Sequence, residues 1–188
     1  MRILRFPVPF LALLLTVVVA ASAQSPVMPK EPDVPYVPTH ETVVAEMLKV
    51  AKVKKDDVLY DLGSGDGRIV ITAAKKFGTR GTGIELVPSL VREARDNAAK
   101  AGVSELAKFI EGDIFEANIS DATVVTLYLL PAVNMKLRPK LLALRPGTRI
   151  VSHNYDMEDW KPEKTIKLNL DDGEHTVFYW VVPARKKS

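Results

Sequence analysis

Cysteine is absent from the 188-residue chain, which excludes disulfides, thiolate nucleophiles and zinc or iron–sulfur sites built on cysteine. Histidine occurs only at His40, His153 and His175, and none stands in an H-E-x-x-H or comparable ligand spacing, so no metal is expected. There is no internal repeat and no low-complexity tract, which removes solenoids and propellers from consideration. An excess of one sign of charge is also lacking, 26 basic residues standing against 23 acidic ones for a formal net charge of +3. The clusters Lys52-Lys54-Lys55 and Arg185-Lys186-Lys187 read as solvated charge able to attract an acidic partner or membrane surface. They lack the aromatic-rich context of an RNA motif, so nucleic acid is not an expected partner.

What is present begins with a leader. Arg2 and Arg5 precede an apolar run from Phe6 to Ala20, and Ala21-Ser22-Ala23 follows with the small-x-small pattern that signal peptidase accepts. Residues 1–23 therefore read as a signal peptide. The expected location is exported, periplasmic or secreted, with a membrane anchor as the alternative if the leader stays uncut. Residues 24–39 form a proline-rich linker or arm, where Pro26, Pro29, Pro32, Pro35 and Pro38 block ladder hydrogen bonds and favour extended backbone.

Residues 40–184 read as one α/β domain. Thr39 is placed to cap a helix over roughly 40–52, whose Val43, Val44, Met47 and Leu48 recur at helical spacing. Short β-rich runs then alternate with helical stretches: Val58 to Leu62, Arg68 to Phe77, Gly81 to Glu85, Ser89 to Ala101, Ala107 to Glu111, Thr123 to Leu130, Ala132 to Leu144 and Arg149 to Ser152. Pro139 is expected to kink or split the last helix. Thr165 to Leu170 and His175 to Val182, joined by Asp171-Asp172-Gly173, read as a hairpin. The pattern implies a Rossmann-like, doubly wound, mostly parallel three-layer sheet closed by an antiparallel pair.

The chemistry centres on Asp61-Leu62-Gly63-Ser64-Gly65-Asp66-Gly67. Gly63, Gly65 and Gly67 let a ligand approach the backbone, but their spacing departs from G-x-G-x-x-G, and the acid in front disfavours a pyrophosphate. S-adenosylmethionine carries no phosphate, and its ammonium and sulfonium suit a carboxylate at Asp61, directly or through water. Asp66 can instead serve the turn itself. Glu85 ends the second strand, where a carboxylate accepts from both hydroxyls of a ribose. Asp113 follows the third strand, placed to accept from an adenine amino group while Ile114 or Phe115 packs on the ring. Three acids after successive strands, all at one sheet edge, form an ordered set.

These residues resemble the class I methyltransferases. The arm Pro35-Tyr36-Val37-Pro38-Thr39, the strand and turn Val58 to Ile69, Thr123 to Leu130, Pro146 to His153 and His175-Thr176-Val177 resemble archaeal broad-specificity protein lysine methyltransferases and the related mitochondrial group. The resemblance covers nearly all of the chain after the linker. It implies a seven-stranded sheet, methyl transfer from S-adenosylmethionine, a protein lysine ε-amine as acceptor, and an arm from Tyr36 to Thr39 folded over the cofactor pocket. It also implies a cytosolic location, in contrast to the leader.

Methyl transfer to an amine needs alignment more than acid–base machinery. Tyr128, near the end of the fourth strand, is a candidate for orienting the amine, with an aromatic core residue as the alternative. His153, after the fifth strand, is a second candidate beside a purely structural role; Tyr155 and Trp160 read as loop packing. Two further functional readings stay open: an exported binding module without turnover, and a methyltransferase acting on a small molecule or RNA.

Overall fold

The computed structural model describes residues 36–184, so the expected leader, most of the proline-rich segment and the basic C-terminus lie outside the described residues. The elements are α1 (Glu41–Val50), β1 (Val58–Leu62), α2 (Arg68–Phe77), β2 (Arg80–Glu85), α3 (Pro88–Lys100), β3 (Ala107–Glu111), β4 (Val124–Leu127), α4 (Pro131–Leu142), β5 (Arg149–His153), β6 (Lys164–Leu170) and β7 (Gly173–Val181). They form a seven-stranded sheet in the order β3-β2-β1-β4-β5-β7-β6. The first five strands are parallel, and β7 runs antiparallel between β5 and β6.

Strand side chains alternate between the two faces, so β1, β4, β5 and β7 each feed two cores. On one face Leu59, Phe109, Val124, Val151 and Tyr179 pack with Val43, Met47, Val70, Val91 and Ala94 of α1, α2 and α3. On the other Leu62, Val125, Ile150 and Trp180 pack with Val133, Leu137 and Leu141 of α4 and with Met157. Two helical layers around a sheet result. Trp180 is fully buried and its indole N–H donates to the Trp160 carbonyl at 2.6 Å, satisfying the one polar atom its burial would otherwise strand.

Local chemistry sets the element ends. Gly67 and Gly78 bracket α2 in left-handed conformations. Proline opens both α3 and α4, where its missing N–H costs nothing. α4 runs unbroken through Pro139, which therefore does not split it. Thr39 does not cap α1. His40 is the cap, its Nδ1 accepting from the Thr42 N–H at 3.1 Å, because the Thr39 side chain is turned toward His153 instead.

The N-terminal edge of the sheet is locked by Asp57 and Arg149. Asp57 is 2% exposed, ion-paired to Arg149, and accepts from the Lys54 N–H at 2.9 Å and the Thr123 hydroxyl at 2.8 Å. Burial opposes its ionisation, yet the Lys54 amide, Arg149 and Thr123 together hold its carboxyl below the usual range. Arg149 also donates to the Ala51 carbonyl at 2.7 Å, tying the end of α1 to β5. The opposite edge is built differently.

Candidate active site

Strand order reverses between β1 and β4, and beyond their carboxyl ends opens a cavity of about 400 Å³. This is where open α/β sheets hold ligands. Asp61, Gly63, Ser64, Gly65, Glu85, Asp113, Ile114 and Tyr128 all line it, together with Tyr36 and Thr39 of the arm. Residues spread over more than ninety positions thus meet in one place.

The turn after β1 curls back on β2. The Gly63 and Ser64 amides donate to the Ile84 carbonyl at 2.9 and 3.1 Å, and the Gly67 amide donates to the Ser64 carbonyl at 2.9 Å. Gly65 has φ +51, and a side chain there would run into the Tyr36 ring, so the arm lies directly on the turn. Gly67 shapes the packing beneath and does not line the cavity: a Cβ would stand 2.5 Å from Phe109 Cζ. The Ser64 hydroxyl faces Gly83 and has no hydrogen-bond partner among the described residues.

Each acid has distinct surroundings. Asp61 pairs in register with Thr126 of β4, whose hydroxyl donates to its Oδ1 at 2.7 Å. Burial pushes the Asp61 carboxyl up to about 7; repulsion from Glu85 and Asp66 adds to this, while Thr126 opposes it. Glu85 spans the turn, accepting from the Gly65 amide on Oε2 and the Val87 amide on Oε1, both at 2.9 Å. Each oxygen keeps a further lone pair with which to accept a hydroxyl. Asp113 accepts from the Phe115 amide at 2.9 Å and fixes the loop that carries Ile114 into the cavity wall.

Asp66 serves the turn, as the sequence allowed. It forms a 2.7 Å ion pair with Arg68 and accepts from the Arg68 amide at 3.2 Å. Arg68 then donates to the Thr39 carbonyl at 2.8 Å and anchors the arm, a role that sequence reasoning missed. Its only signal was an acid two positions before an arginine.

Tyr128 and Tyr155 stand side by side on one wall of the cavity. Their rings are near parallel, with centroids 6.5 Å apart, and both line the cavity. Tyr155, read from sequence as loop packing, also lines the cavity. Burial raises the Tyr128 hydroxyl above its usual range, which keeps it protonated. His153 sits behind this wall, 1% exposed, with its ring 3.9 Å from that of Tyr128 and outside the cavity lining. Burial and repulsion from His175 lower it to about 4, so its imidazole is neutral near pH 7. Any part it takes in the chemistry is indirect.

The residues present suit S-adenosylmethionine. Among the described residues, Asp61 is a buried carboxylate with a hydroxyl and no cation for company, which a cationic ligand would satisfy. The turn, with its left-handed glycines and the strand-end acids, therefore defines a class I S-adenosylmethionine-dependent methyltransferase.

Similarity to known proteins narrows the class. The model of the ANTKMT methyltransferase domain matches residues 61–164. A protein-lysine N-methyltransferase of Saccharolobus islandicus is 49% identical over 157 residues, covering 82% of this chain and 98% of that protein. The mouse adenine nucleotide translocase lysine N-methyltransferase is 35% identical over 146 residues, covering 77% of this chain, and the match spans 63% of the mouse protein. Among solved structures, an RNA methyltransferase from Salinibacter ruber in complex with S-adenosyl-L-homocysteine is 56% identical, covers 80% of this chain and 97% of that one, and superposes with a TM-score of 0.76. The chain belongs to the class I methyltransferase family that includes the protein-lysine N-methyltransferases, and its cofactor is S-adenosylmethionine.

Proposed function

We propose that this protein methylates the ε-amine of lysine side chains on proteins. S-adenosylmethionine supplies an electrophilic methyl carbon on a sulfonium, so the protein's work is alignment and desolvation. Asp61 would hold the donor's cationic groups, Glu85 would take the ribose hydroxyls, and Asp113 with Ile114 would hold the adenine. Tyr128 and Tyr155 flank the entering lysine, their ring faces attracting its cationic head while the apolar wall favours the neutral amine.

The observation that carries lysine over RNA is the charge of the lining. Asp61, Asp66, Glu85 and Asp113 oppose, among the described residues, a single cation, Arg68, which is already paired with Asp66. Such a cavity attracts an ammonium and repels a phosphate backbone. The name of the Salinibacter relative supports RNA as a second reading. Incubation with labelled S-adenosylmethionine and equal amounts of a lysine-rich protein and a structured RNA separates the two. Methyl-lysine in the protein hydrolysate is expected; label confined to RNA would overturn the assignment.

For location we propose export, on the strength of the leader at residues 1–23. Sequencing the mature N-terminus tests this. A start near Gln24 is expected, and an intact Met1 in a soluble cytosolic fraction would contradict it.

A further inference from the structure

Three residues outside the donor set, Asp172, His175 and His153, form one continuous hydrogen-bonded chain with Thr39 of the arm. Asp172, in the β6–β7 turn, meets His175 Nε2 at 2.9 Å. His175 Nδ1 on β7 meets His153 Nε2 at the end of β5, also at 2.9 Å. His153 Nδ1 meets the Thr39 hydroxyl at 3.4 Å, and Thr39 lines the cavity. The chain thus runs from an aspartate more than half exposed, through two largely buried imidazoles, to the side chain of Thr39, a residue that lines the cavity.

Its polarity follows from donor and acceptor inventory. A carboxylate only accepts, so His175 carries a proton on Nε2, and the neutral ring with that tautomer presents a bare Nδ1. That nitrogen accepts from His153, which therefore carries its proton on Nε2 and presents a bare Nδ1 to Thr39. The Thr39 hydroxyl is left as donor to His153, and among the described residues no donor is found for its lone pairs. Every bond is satisfied with both rings neutral, and burial of His153 favours that neutral state. The opposite polarity would set two acceptors against each other at Asp172 or require a charged ring.

We propose that Asp172, His175 and His153 are positioning residues that hold the Thr39 hydroxyl as a hydrogen-bond acceptor for the attacking lysine amine, resting on the lysine reading above. An N–H of the amine donates to Thr39 Oγ1, which turns the nitrogen lone pair toward the donor's methyl carbon. No proton is transferred along the chain; it fixes direction. The longest link lies at the arm, and hydrogen bonds at such sites are often long before ligands bind.

The test combines a spectroscopic and a kinetic readout on the full chain. With only three histidines in the sequence, ¹⁵N-imidazole resonances of the labelled protein are assignable through His40, His153 and His175 variants. Near neutral pH, Nε2–H tautomers are expected for both His153 and His175. With a lysine-rich protein as acceptor, Thr39→Val is expected to lower kcat about 10- to 100-fold, a larger change than any in the KM for S-adenosylmethionine, and Thr39→Ser to recover most of the loss. His175→Asn, which sets a carbonyl near the place of Nδ1, retains more turnover than His175→Leu. An Nδ1–H tautomer at His153, an unaltered kcat in Thr39→Val, or a defect confined to the donor KM would each overturn the inference. If the wild type methylates no lysine, the lysine reading falls and this inference with it. If it does methylate lysine and any of the preceding results appears, only the inference falls.

Discussion

Asp57 and Asp61 lie at opposite ends of β1, each 2% exposed, yet their carboxyls are pushed in opposite directions. Asp57 has a guanidinium, a backbone amide and a hydroxyl around it; Asp61 has one hydroxyl, with Glu85 and Asp66 nearby. Equal burial therefore does not make equal roles. At the N-terminal edge the fold supplies the cation and gains a lock between α1, β1, β4 and β5. At the C-terminal edge it leaves, among the described residues, an acid without a cation, a charge for a ligand to balance.

The largest expected effect is on the locked edge. Asp57→Ala strands the Arg149 charge and should cost about 3–5 kcal/mol, read from urea unfolding. A cost as small as that of a surface substitution would remove the contrast. At the open edge, Asp61→Asn should weaken S-adenosylmethionine binding about 100-fold, equivalent to about 2.7 kcal/mol, in calorimetric titration.

The two aspartates should also shape stability against pH in opposite senses. Asp61 is raised from 3.8 to about 7 in the fold. The folded chain then holds more protons, so the stability it contributes is present below the lower value and lost as pH rises through the higher. Asp57 is lowered in the fold, so its contribution is present above its ordinary value of 3.8 and lost as pH falls through the lowered one. Melting curves of the ligand-free protein should show Asp61→Asn flattening the profile between about pH 4 and 7, and Asp57→Asn flattening only the more acidic limb. Interchanged windows would show that the surroundings are wrongly assigned.

Two smaller effects sharpen the open edge. Gly67→Ala combines φ +83 with the Phe109 clash and should destabilise by about 1–3 kcal/mol in urea unfolding. That cost separates the turn's packing from its ligand contacts. Arg68→Ala frees the arm from the turn and should weaken S-adenosylmethionine binding only several-fold in the same calorimetric titration. A loss as large as that of Asp61→Asn would make the arm the principal binding element.

Periodicity and turn residues made the strand and helix cores readable, because each short run carries its own signal. Glu85 and Asp113 were readable for the same reason, standing just where a strand stops. The boundaries of β4 and α4 shifted because Tyr128, Leu129 and Leu130 are apolar but lie beyond the ladder, against the cavity. Thr39 looked like a cap because sequence shows only neighbours along the chain, whereas its partner His153 is 114 positions away. The His153–His175 contact depends on the antiparallel register that sets His153 opposite Val177, which no local pattern encodes. Tyr155 was hidden in the same way, since its ring becomes part of the wall only beside Tyr128.

The central claim is that Asp61 ionises to hold the cationic donor, and the pH dependence of the dissociation constant tests it most directly. Calorimetric titration of S-adenosylmethionine into wild type should show affinity rising up to about tenfold per pH unit on the acid side and levelling off above about pH 7, with that slope absent in Asp61→Asn. A flat wild-type profile, or the same slope in the variant, would contradict it.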